Sequence, residues 1–66
     1  MNIGLICLKF RRENGYRLRD VADDLGYTIA NISAFEHGRN DNGQILLWYI
    51  RHGLDNNYIT NQLGRE

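Results

Sequence analysis

Apolar residues recur along this chain at three- and four-residue spacing, a pattern that fits helices and no strands. The first helix is expected over about 3–14, with Ile3, Cys7 and Phe10 at i, i+4 and i+7 and Gly15 as its stop. The second covers about 18–25, where Val21, Ala22 and Leu25 share a side and Gly26 ends the run. The third, about 29–37, carries Ile32 and Phe35, starts behind a capping Thr28 and is closed by Gly38. Residues 38–43 (Gly-Arg-Asn-Asp-Asn-Gly) read as a polar loop. A fourth helix follows over about 44–52, stopped by Gly53, and a fifth begins after Asp55 and carries Ile59 and Leu63. The expected fold is all-α, five short helices in a single domain over 1–66.

Two stretches hold more apolar residues than one stripe needs. Leu5, Ile6 and Leu8 widen the face of the first helix, and residues 45–50 (Ile-Leu-Leu-Trp-Tyr-Ile) are apolar all the way round. A helix that is apolar on every side must be covered on every side. A homodimer is the expected solution, through the apolar surface of the fourth and fifth helices (Trp48, Tyr49) or through the first helix (Leu5, Leu8). The alternative is that these side chains complete a tight monomeric core beneath the fifth helix.

The stretch 18–39 carries the functional signal. Two short helices pivot on Gly26, which suits a left-handed turn conformation, and Ala22 stands where the helices would cross. Helices joined by a short glycine-containing turn form the helix-turn-helix, whose second helix lies in a DNA major groove. The third helix would expose Ile29, Ala30, Ser33, Ala34 and His37, with Asn31 to one side, while Ile32 and Phe35 point inward.

In the order Arg11, Gly15, Leu18, Val21-Ala22, Leu25-Gly26, Thr28, Ile32, Phe35-Glu36 and Gly38-Arg39, the sequence resembles the Cro/repressor-type (XRE family) helix-turn-helix domain of phage and bacterial regulators. The resemblance covers about four-fifths of the chain, with the helix-turn-helix core at 18–37. It implies a small, phage- or prophage-type regulator that binds double-stranded DNA as a dimer and represses by occluding a promoter. It implies a structural ion pair between Arg11 and Glu36. It places base contacts at the positions held here by Ile29, Ala30 and Ala34, and a DNA-facing surface running from Thr28 to His37. Relatives often carry Gln or Arg at those three positions; here only thymine methyl contacts and hydrogen bonds from Asn31 and Ser33 are available. Phosphate contacts are expected from Arg17 and Arg19 at the second helix and from Arg39, Asn40 and Asn42 in the following loop.

Composition narrows the alternatives. Sixty-six residues make one domain near the lower size limit for unstapled folding. No run approaches the ~18 apolar residues of a membrane span, and the first residues lack the marks of a signal peptide, so the expected location is cytoplasmic. One cysteine and two histidines offer neither a disulfide nor a zinc set, and no cofactor is expected. No nucleophile, acid–base pair or phosphate-cradling loop is visible, so an enzyme is not expected. Net charge is zero, yet unevenly spread. Through Arg19 the balance is +4, residues 20–36 hold four acids and no base, and the remainder balances. Such separation creates a local positive surface on a neutral molecule. The neutral total, the apolar third helix and the expectation that Trp48 and Tyr49 are exposed also fit a competing reading, a protein-binding module that inhibits a bacterial or phage regulator.

Overall fold

The computed structural model describes residues 2–64 and contains, among them, five helices and no strand: α1 Ile3–Glu13, α2 Leu18–Leu25, α3 Ile29–Glu36, α4 Gly43–Arg51 and α5 Asn56–Leu63. Arg65 and Glu66, part of the charge count above, lie outside the described residues. α3 packs against α1 and α2, α4 lies against the same two helices, and α5 leans on α1.

Each helix start has a local cause. Asn2, Thr28, Asn42 and Asp55 accept, through their side-chain oxygens, a backbone N–H of the first turn that would otherwise lack a partner. α2 begins differently. Its cap residue, Arg17, has no side-chain acceptor, so Asp20 reaches back and accepts the Arg17 backbone N–H at 2.8 Å. Gly26 then ends α2 at φ 71°, and the N–H groups of Gly26 and Tyr27 both close on the Ala22 carbonyl.

The core gathers Ile6, Cys7 and Phe10 of α1, Val21 and Ala22 of α2, Ile32 and Phe35 of α3, Ile45, Trp48 and Tyr49 of α4, and Leu54. The α1 stripe is therefore rotated from the expected one. Ile3 and Leu5 are each 37% exposed and Leu8 is half-buried, whereas Gly4, Ile6 and Arg11 turn inward. Gly4 accounts for the rotation. A Cβ there would stand 2.2 Å from the Phe35 carbonyl oxygen and 2.8 Å from that of Glu36, so α1 crosses the end of α3 in backbone contact.

Trp48 and Tyr49 were expected at a dimer surface, and the structure overturns this: they are 5% and 0% exposed. With Ile45 they form the inner face of α4. Tyr49 lies edge-on to Phe10, Trp48 stacks on His52 with centroids 3.7 Å apart, and the Trp48 indole N–H donates to Asp24 at 2.9 Å. Leu47 and Ile50, on the other face of α4, are 36% and 48% exposed, so the fold of one chain covers α4 on its inner face alone. On α5, Leu63 is half-exposed and Gln62 is buried instead, its Oε1 accepting from Lys9 Nζ at 2.8 Å. No helix among the described residues is long and apolar enough to cross a membrane.

Candidate nucleic-acid interface

α3 divides into two faces along the line the sequence implied. Ile32, Phe35 and Glu36 are buried; Ile29, Ala30 and Asn31 are exposed, Ser33 and Ala34 half-buried. His37 is exposed and serves as the C-cap, one residue beyond the helix end. The outward ridge is short and mostly apolar, and Ile29 is 46% exposed. Its polar groups are few. The Thr28 hydroxyl oxygen accepts from Asn31 N–H at 3.1 Å while its O–H stays available as a donor. His37 Nδ1 lies 2.9 Å from the Ser33 carbonyl, which can only accept, so that nitrogen carries the proton and Nε2 is the acceptor in the neutral ring.

The basic residues flank this ridge in sequence and stand clear of the fold. Arg17, Arg19 and Arg39 are exposed. Arg17 is only loosely tied, its Nε 4.0 Å from Asp20 Oδ2. Gly38, at φ 77°, turns the chain so that Arg39 N–H closes on the Ala34 carbonyl at 2.8 Å. Asn40 and Asn42, the other expected phosphate ligands, are first of all loop fasteners. Asn40 Nδ2 donates to the Asn31 carbonyl and its Oδ1 accepts from Asn42 N–H, while Asn42 Oδ1 caps α4 at Gln44. Those bonds leave both N–H donors of Asn42 Nδ2 and one of Asn40 Nδ2 uncommitted. Of the four acids of 20–36, Asp20, Asp23 and Asp24 lie on α2 and Glu36 is buried.

What holds the ridge in place is the polar cluster behind it. Arg11 Nε donates to Glu36 Oε2 at 2.8 Å and Arg11 Nη2 to Glu36 Oε1 at 3.2 Å, the two-pronged form of the pair that the resemblance implied. Sequence reasoning missed two further members. Tyr49 donates its O–H to Glu36 Oε2, and Arg11 Nη1 donates to the Tyr16 carbonyl at 3.1 Å. The end of α3 is thus bolted to α1, α4 and the loop before α2. Among the described residues no buried side-chain nitrogen or oxygen lacks a partner. The hydrogen bond to Glu36 raises the Arg11 guanidinium further above its ordinary value. Burial first, and then the bond to Glu36, pushes the Tyr49 hydroxyl well above its ordinary range. Burial, with the Glu36 charge adding to it, pushes the neighbouring Cys7 thiol up to about 12.

Among the described residues no three His, Cys, Asp or Glu side chains stand close enough to hold a metal ion. No family model, curated protein or solved structure matches the chain.

Proposed function

We propose that the protein is a small transcriptional regulator, of the Cro/repressor-type helix-turn-helix kind, that binds double-stranded DNA with α3 in the major groove and acts as a dimer on two half-sites. The observation that carries this reading is the uncovered ridge of α3, from Thr28 to His37, held rigid by the Glu36 cluster and flanked by the exposed Arg17, Arg19 and Arg39. The arginines supply phosphate contacts that fix orientation; Asn31, Ser33 and the His37 Nε2 acceptor meet base edges or phosphates, and Ile29, Ala30 and Ala34 pack on thymine methyl groups. Repression follows from occupancy of a promoter.

Selection from a random duplex library, followed by binding across salt, tests the proposal. The expected result is an enriched near-palindromic site with half-sites ~34 Å apart, and a salt slope of about −2 to −4 per monomer. No enrichment over bulk duplex at low ionic strength would end it.

One observation favours a second reading. Ile29 is an exposed apolar side chain at the head of the ridge on a chain of zero net charge, as a protein-binding surface would present. Under that reading Ile29 and Ala34 substitutions do the damage, and Arg17→Ala with Arg39→Ala leaves binding unchanged.

A further inference from the structure

We infer that a second copy of this chain docks antiparallel on the outward face of α4, with Leu47 beside the two-fold axis, Ile50 seated over the other copy's Gly43, and Arg51 facing its Asp41. At ~100° per residue, Gly43, Leu46, Leu47 and Ile50 fall on one side of α4, opposite the buried Ile45, Trp48 and Tyr49. Gly43, Leu47 and Ile50 on that side are exposed, Leu46 is half-buried, and none of the four carries a charge. The side ends in two shallow grooves, one of about 350 Å³ that includes Gly43 and Leu46, the other of about 450 Å³ bordered by Ile50, Leu54 and Ile59.

The choice of a second copy rests on self-complementarity. A two-fold interface must pair residue i with j and j with i. Gly43 carries no side chain and leaves open space, with no atom within 4 Å of where a Cβ would stand. Ile50 offers a knob at 48% exposure. They lie seven residues apart, about 10.5 Å along the axis, and the midpoint falls at Leu46 and Leu47. Charge fixes the direction. Asp41 precedes the N-terminus of α4 and Arg51, its one charged residue, ends it; both are exposed. Antiparallel packing sets each Arg51 against the opposite Asp41, whereas parallel packing sets like against like. A small specific interface buries ~600 Å² per copy, about one-seventh of the chain's 4264 Å² surface.

This deepens the dimeric part of the proposed regulator. The test uses the full chain without DNA, so a failure here leaves DNA reading by α3 standing, and loss of DNA binding leaves the dimer standing. Sedimentation equilibrium at low salt is expected to give a monomer–dimer equilibrium. Leu47→Asp should weaken it at least ~10-fold, with circular dichroism confirming the fold. Arg51→Asp and Asp41→Arg, both at exposed sites, should each weaken it several-fold, and the double swap should return it to within ~3-fold of the parent. A monomer at ~1 mM, a dimer indifferent to Leu47→Asp, or a double swap no better than the singles overturns the assignment.

Discussion

Glu36→Gln is the sharpest perturbation of the scaffold beneath the proposed reading surface. The substitution preserves side-chain volume and so isolates charge and hydrogen bonding. Glu36 is 1% exposed and accepts from three donors, Arg11 Nε, Arg11 Nη2 and the Tyr49 hydroxyl. A glutamine offers one oxygen and one NH₂ group, so at least one donor must face another donor. The guanidinium, with 10% of its side chain exposed, loses its counter-charge. Removing one partner of such a buried pair costs about 3–5 kcal/mol. A domain of this length has ~3–10 kcal/mol in all, and each kcal/mol is worth ~4–8 °C in Tm. The variant is therefore expected to melt at least ~12 °C lower or to be unfolded at 25 °C. Urea titration followed by circular dichroism and by emission of Trp48, the chain's single tryptophan, measures the loss. The triple variant Arg11→Met, Glu36→Leu, Tyr49→Phe removes donors and acceptor together and should recover most of it. A Glu36→Gln loss below ~1 kcal/mol would refute the reasoning, because the cluster would then be solvated in a way its burial does not allow.

Gly4→Ala pits helix propensity against packing. Alanine gains about 1 kcal/mol within a helix, but its Cβ lies 2.2 Å from the Phe35 carbonyl oxygen; we expect net destabilisation by thermal melting, and a higher Tm would contradict it. The Cys7 thiol, pushed from 9.0 to about 12, binds its proton more tightly folded than unfolded. Its contribution is full below pH 9 and is lost as pH rises from 9 towards 12, with ~1.4 kcal/mol gone by pH 10; Tyr49, also raised, acts in the same direction higher up. A urea midpoint constant from pH 8 to 10.5 would sink that assignment. Arg17→Ala and Arg39→Ala should each flatten the salt slope of DNA binding by about 1 while leaving the melting temperature within a few degrees.

The helix order was legible because its punctuation is local. Gly26 and Thr28 mark the α2–α3 turn by backbone chemistry that needs no tertiary partner, and both ends of α2 fall where the pattern put them. Faces were less legible. Trp48 and Tyr49 sit in a run without periodicity, so nothing local says which side of α4 meets α1 and α2. Gly4 carries no hydropathy signal at all, yet its missing side chain sets the α1–α3 approach. The Arg11–Glu36 pair came from family resemblance; Tyr49, its third member, joins from α4 across 13 residues. Asn40 and Asn42 read as phosphate ligands in the sequence; the Asn42 cap is a local bond, whereas the bond from Asn40 to the Asn31 carbonyl arises only once the loop folds back on α3.

The central claim is that the ridge of α3 enters a duplex. Adding a selected duplex to isotopically labelled protein and following backbone amide shifts by NMR tests this most directly. The largest changes are predicted at residues 28–37, with a second group at 17–19 and at 39. Changes confined to α4 and α5, or none at saturating duplex in low salt, would contradict it.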